Sequence, residues 1–248
     1  MKSEYSVFVL AALLVAAGHA QNMPAKTLKV LTPADIDPGR LLPPPPADGS
    51  ESQRQELKEV ERLVDTRSKE RFAQAKWDNQ HEDPTAFAST LGLAFDLTKL
   101  PATAKLLALV MNDQSMAANG AKAYFHRRFP VAAAPDAAAV YRTWSCDEDV
   151  KKPADRPLRS YPSGHATMGY SVGIVLAALM PEKSQAILAR AADYAYSREV
   201  CGDHYHSDVE ASHALGNAVG EMLLSSAGLK SQIEAARAEL RAAGLTAQ

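Results

Sequence analysis

The sequence predicts an all-α fold, a single-domain bundle of six to eight helices behind an extended, proline-rich N-terminal arm. Three observations carry that expectation. From Glu51 onward, apolar residues recur at the spacing that aligns them on one face of a helix. No run alternates apolar and polar residues as a half-buried strand does. Pro101, Pro130 and Pro162 fall between the apolar stretches, where proline starts or stops helices rather than kinking them. With 248 residues, 46% of them hydrophobic and 23% charged, the chain is long and apolar enough to bury one large core. Its net charge of −2 gives no reason to expect nucleic acid or an anionic membrane as a partner.

The elements follow in order. Residues 1–20 read as a cleavable signal peptide, with Lys2 before an apolar run from Val7 to Ala17 and small residues Gly18 and Ala20 at the cleavage positions. An uncleaved anchor or a buried first helix is the alternative. No later stretch reaches membrane-spanning length, so the mature protein is expected to be soluble and exported, periplasmic or secreted. Residues 21–50 form the arm, whose Pro43-Pro44-Pro45-Pro46 run forbids helix. It is either a linker or a wrapping segment, and Leu41 and Leu42 favour wrapping.

The helical domain is assigned to 51–248. An amphipathic surface helix is expected over 51–77, with Leu57, Val60, Leu63 and Val64 on one face. A second is expected near 84–97. A third, about 102–127, places Leu106, Val110, Ala117, Ala121 and Phe125 on one stripe. Residues 131–161 read as loop, with a short helix at 136–142. Ala166 to Met180 is apolar nearly all round and so deeply buried. Helices at 183–200, 206–226 and 229–243 complete the chain.

Cys146 and Cys201 are an even pair in a chain expected to be exported, where disulfides persist, and a Cys146–Cys201 bridge is the preferred reading over two buried thiols.

Two segments concentrate chemistry. In Pro162-Ser163-Gly164-His165, proline and serine precede a long apolar run and mark a helix start. Free N–H groups and the helix dipole make such an end an anion site. Ser163 can donate to the anion or simply cap the helix, Gly164 admits close backbone approach, and His165 is placed to give a proton. The second segment is Ser197-Arg198, five residues, His204, three more, then Asp208. The spacing puts His204 and Asp208 on one face of a helical turn, where a carboxylate fixes the imidazole tautomer. A metal centre in Asp203-His204-Tyr205-His206-Ser207-Asp208 is disfavoured, because His204 and His206 point apart on a helix. Arg198 and Lys122 supply positive charge, although either alone also suits a solvated surface.

Taken together, these residues closely resemble the signature of the class A bacterial nonspecific acid phosphatases. These belong to the type-2 phosphatidic acid phosphatase superfamily, which includes the vanadium haloperoxidases. That pattern reads K-x6-R-P, P-S-G-H and S-R-x5-H-x3-D, and the second and third parts match at every fixed position. The proline arm, Cys146 and Cys201-Gly202-Asp203-His204 also look like the class A branch. The resemblance implies His204 as nucleophile, Asp208 as its orienting partner and His165 as general acid. It implies Lys122, Ser163, Gly164 and Arg198 as ligands of the phosphoryl oxygens.

The first part departs from the pattern. Lys122 and Pro130 keep the spacing, but Phe129 stands at the arginine position, with Arg127 and Arg128 just before it. Loss of one charge-assisted contact costs roughly 2–4 kcal/mol of transition-state stabilisation. The implied activity is metal-independent phosphomonoester hydrolysis through a phosphohistidine, with a small-molecule substrate and no cofactor. A noncatalytic phosphate-binding homologue and a vanadate-dependent haloperoxidase are the alternatives, and homo-oligomerisation stays open.

Overall fold

The computed structural model describes residues 26–136, 139, 143–147 and 152–247. The expected signal segment 1–20 lies outside these residues, as does nearly all of the short helix expected at 136–142. The described chain is all-α, with no strand among the described residues. Seven long helices build it: α1 Glu51–Thr66, α2 Lys69–Gln80, α3 Pro101–Phe125, α4 Gly164–Leu179, α5 Ser184–Val200, α6 His206–Leu224 and α7 Lys230–Ala242. Among the described residues no helix is long and apolar enough to cross a membrane.

Helix α4 is the centre of the bundle. Its apolar residues occur on every face, and it packs against α5, α6 and α3. Met168, Val172, Val175, Leu176 and Leu179 are fully buried or nearly so. The stripe expected on α3 is real, with Leu106, Val110, Ala117 and Ala121 in the core and Phe125 packed against it. Helix α7 closes the far end. Its Glu239 carboxylate accepts the Ala102 and Thr103 N–H groups at 2.9 and 2.8 Å, satisfying two of the free donors at the start of α3.

Two expectations about helices are corrected. The run 51–77 is two helices, because Arg67 is extended and the Ser68 hydroxyl accepts the Arg71 N–H at 3.1 Å, starting α2 afresh. The helix expected at 84–97 is only a 3-10 turn at Pro84–Phe87 and one helical turn at Ala88–Leu91. Gly92 stops it with φ +87°, a conformation that side chains other than glycine rarely adopt. At the other end of this region, Pro101 begins α3 as its first residue.

The arm wraps the bundle. The buried Asp113 carboxylate on α3 accepts three successive N–H groups, from Lys29, Val30 and Leu31, at 2.8–2.9 Å. Leu31, Ile36 and Leu42 enter the main core. A helical turn at Pro38–Leu41 interrupts the extended path before the proline run, and the Tyr161 hydroxyl donates to the Pro43 carbonyl at 2.7 Å. The arm is thereby tied to the residue just before the Pro162-Ser163-Gly164-His165 segment.

Candidate active site

The site lies where the start of α4, the end of α5, the turn before α6, the end of α2 and the last turns of α3 converge. Lys122, Gly164, His165 and His204 line one cavity of about 310 Å³, with Glu82 and Ser115 on its rim. Remote stretches of the sequence thus place both histidines on a single polar pocket. Gly164 is the first residue of α4, and a Cβ there would stand 3.3 Å from Glu82 Oε1 and 3.9 Å from Lys122 Cε. A side chain at 164 would project into the space between them.

His204 does not sit on a helix face. It lies in the turn leading into α6, and Gly202, at φ +71°, lets the chain reverse out of α5 to reach it. Asp208, in the first turn of α6, accepts from Tyr205 N–H at 3.0 Å and from His204 Nδ1 at 3.2 Å. His204 therefore presents Nε2 to the cavity. Asp208 is fully buried and also accepts from Ser160 Oγ at 2.5 Å and Arg127 Nη1 at 2.6 Å. Burial alone would raise its pKa, but the His204 hydrogen bond and the Arg127 charge bring it below the ordinary carboxylate value. Burial lowers His204 to about 4 despite Asp208, so at neutral pH the imidazole is uncharged.

His165 approaches from the other wall. Its Nε2 donates to the Asn79 carbonyl at the end of α2, at 3.1 Å, and its Nδ1 lies 3.6 Å from Glu82 Oε2. Burial, followed by the nearby Arg198 charge, pushes its pKa well below the usual histidine value while the pocket holds no anion. Lys122 donates to the Arg159 carbonyl at 2.6 Å and is brought down to about 8 by burial. It is still cationic in acid and near neutrality.

Ser163 and Arg198 stand behind the cavity wall. Ser163 is fully buried, its hydroxyl accepting the Ala166 N–H at 3.4 Å as the cap of α4. Arg198 is nine-tenths buried or more, bonded to Asn79 Oδ1 and, at 3.0 Å, to Asp203 Oδ2. Cys146 and Cys201 form a disulfide that ties the loop before the site to the end of α5. His206 points to solvent and pairs with Glu199 at 3.1 Å, away from His204. No group of three or more metal-ligating side chains gathers among the described residues.

Neither arginine beside Phe129 enters the cavity. Arg127 is buried, held by Asp208, by Ser207 Oγ at 2.7 Å and by Glu56 at 2.7 Å. Arg128 faces outward, half-exposed, 3.8 Å from Asp48. The Phe129 ring meets the His204 ring edge-on, with centroids 5.5 Å apart. Sequence reasoning passed over Glu56, Asn79, Glu82, Ser160 and Arg156. Glu56, Asn79 and Glu82 come from stretches remote from the motifs, and Ser160 and Arg156 from the loop before Pro162, where neither residue type by itself marks a role.

The PAP2 superfamily profile matches residues 102–228, from α3 through α6. The chain belongs to the PAP2 superfamily. Curated relatives align over most of the chain. An acid phosphatase of Zymomonas mobilis is 28% identical over 245 residues, covering 94% of this chain and 88% of that protein. A non-specific acid phosphatase of Providencia stuartii is 31% identical over 212 residues, 82% of this chain and 81% of its own. A non-specific acid phosphatase of Salmonella typhimurium is 26% identical over 222 residues, 87% and 84% respectively. The matched PAP2 region contains every cavity-lining residue named above except Glu82, which lies before it.

Proposed function

We propose that this protein is an exported, metal-independent acid phosphatase that hydrolyses phosphomonoesters through a phosphohistidine on His204. The observation that carries the reading is one polar cavity with His204, oriented through Nδ1 by a buried carboxylate, and His165 on its walls. Relatives named acid phosphatase, similar over more than four-fifths of the chain, support it.

In the first step the His204 Nε2 lone pair forms a bond to phosphorus while the bond from phosphorus to the ester oxygen breaks. His165 gives its Nδ1 proton to that oxygen, and the alcohol leaves. The Nδ1 proton of His204 stays on the Asp208 hydrogen bond, which stabilises the positive ring. In the second step water attacks phosphorus, its proton passes to His165, the nitrogen–phosphorus bond breaks and inorganic phosphate departs. Lys122, Arg198 and the N–H groups at the start of α4 neutralise the oxygens through both steps. Because these cations are side chains, activity is expected to survive chelation.

His165 must be protonated in the first step, whereas the free pocket holds it neutral. A bound phosphoryl anion resolves the conflict, since its charge opposes that of Arg198 and favours the imidazolium. Beyond the rim, at Glu82 and Ser115, a second cleft of about 550 Å³ runs over Leu97, Leu107 and Met111. This apolar floor suits an aryl or other apolar alcohol portion of the ester.

The deciding experiment uses p-nitrophenyl phosphate with wild type and His204→Ala, with and without EDTA, and acid-labile phosphoryl-enzyme trapped by rapid quench. Wild type is expected to turn over with EDTA present and to trap label, and His204→Ala to do neither. Phosphate binding by wild type with no turnover would establish the noncatalytic alternative instead.

A further inference from the structure

Position 129 carries no cation, but a guanidinium from elsewhere in the chain lies against its ring. Arg156, from the loop before α4, lies over the Phe129 ring with its Cζ 4.3 Å from the centroid. Its side chain is only 10% exposed, and Nη1 is buried with no hydrogen-bond partner. Its Nη2 stands 3.6 Å from Asp203 Oδ1. The other oxygen of Asp203 holds Arg198 at 3.0 Å, and Ser145 Oγ donates to Oδ1 at 2.8 Å. One buried carboxylate, in the residue next to His204, thus gathers two guanidinium groups. Arg198 Nε, like Arg156 Nη1, is buried without a partner.

The charges explain why both are needed. Asp203 by itself offsets Arg198, and Glu82 on the same cavity opposes the charge of Lys122. With Arg156 present, the two arginines and Asp203 carry a net positive charge beside the cavity. Burying a guanidinium N–H with no acceptor is costly, so the unfilled Nη1 of Arg156, beside a carboxylate already shared with Arg198, is a terminal donor left over for a further anion. A phosphoryl group is the anion this pocket is shaped to take, and guanidinium binds it with directed, charge-assisted hydrogen bonds.

We propose that Arg156, seated on Phe129, serves as the second arginine of the phosphate-binding site and takes the role that position 129 gave up. Phe129 is then a platform: one face carries Arg156, and its ring also packs on His204. The cation has moved from one loop to another while the charge at the site is kept. This inference rests on the phosphatase reading, but its test does not, because it is read first as equilibrium binding of inorganic phosphate.

The experiment compares wild type, Arg156→Met, Phe129→Arg and the double variant. Methionine is unbranched and long enough to cover Phe129 while removing the charge and the N–H donors. Phosphate affinity by calorimetry is expected to fall at least tenfold in Arg156→Met. In enzyme that turns over, kcat/KM for p-nitrophenyl phosphate is expected to fall about a hundredfold, as for loss of one oxyanion-type donor. Adding Phe129→Arg to Arg156→Met is expected to restore at least a tenfold part of both. A purely structural Arg156 would lower the melting temperature, leave phosphate affinity within twofold, and give no recovery on adding the arginine. That pattern overturns the proposal, whereas wild type that binds phosphate without turnover overturns only the hydrolytic reading.

Discussion

Replacing Asp208 with asparagine tests the arrangement at its most constrained point. All four partners of the carboxylate are donors: His204 Nδ1, Tyr205 N–H, Ser160 Oγ and Arg127 Nη1. An asparagine amide must aim its own N–H pair at some of them. If the NH2 takes the Oδ2 place, it faces His204, Tyr205 and Ser160. His204 Nδ1 then becomes an acceptor, the ring proton moves to Nε2, and the nitrogen facing the cavity loses its lone pair. If the NH2 takes the Oδ1 place, it faces Arg127, whose charge is left with Glu56 alone. The first orientation gives His204 the wrong tautomer for the proposed attack, for which losses of about 10³–10⁴ in kcat are the scale in a hydrolase triad. The second breaks a buried ion pair, at a cost of about 3 kcal/mol in stability. Arg127 tips the choice toward the first, since an unpaired guanidinium is costlier to bury than a misdirected imidazole. The assays are single-turnover formation of phosphoryl-enzyme and urea unfolding. Expected are a loss of about a thousandfold or more in the rate and a modest loss of stability. An Asp208→Asn enzyme within tenfold of wild type would show that Asp208 does not set the His204 tautomer.

The acid limb of kcat/KM is expected near pH 4, where His204 takes up a proton, and measuring the profile with correction for the substrate's own second ionisation checks it. Both site histidines have folded pKa values below the unfolded value, so the unfolded chain binds more protons and stability falls as pH drops from about 6.5 toward 4. In the proposed mechanism bound phosphate favours protonated His165, so the rise in melting temperature that phosphate produces is expected to be larger at pH 5 than at pH 7.5. Met111→Ser is expected to raise KM for aryl phosphates about three- to tenfold through lost apolar contact, leaving kcat and phosphate inhibition near wild type. Asp113→Ala strands three backbone N–H groups of the arm, which is expected to cost about 2–4 kcal/mol and to open residues 26–36 to limited proteolysis.

The parts of the molecule written in local pattern were readable from the sequence. Helix α4 announces itself by an apolar run with no polar face, and its start by Pro162 and Ser163. What misled was punctuation weaker than the periodicity around it. Ser68 caps a new helix inside a run that reads as continuous, and Gly92 ends one whose apolar residues persist to Leu97. The His204–Asp208 pair was legible as a pair, but its geometry was not: the carboxylate reaches back from the first turn of α6 to a residue that precedes the helix.

The supporting residues were illegible for a different reason. Glu56 on α1 and Asn79 on α2 reach the site from remote stretches of chain, and Arg156 and Ser160 come from the loop just before Pro162, where neither residue type by itself signals a role. Arg127 shows how this decides chemistry. The sequence offers two arginines next to Phe129, and either could seem able to replace the missing cation. Glu56 and Asp208 draw Arg127 behind His204, 2.7 and 2.6 Å from their oxygens, and α3 ends in a left-handed residue, His126, that leaves Arg128 facing solvent. Proximity in sequence therefore excludes both, while a residue 27 positions past Phe129 in the chain lies on its ring. Charge in a buried site is set by which partners already hold each side chain: Arg127 has only its Nε unfilled, with both terminal nitrogens committed to Asp208, Ser207 and Glu56, whereas Arg156 keeps a terminal nitrogen, Nη1, unfilled.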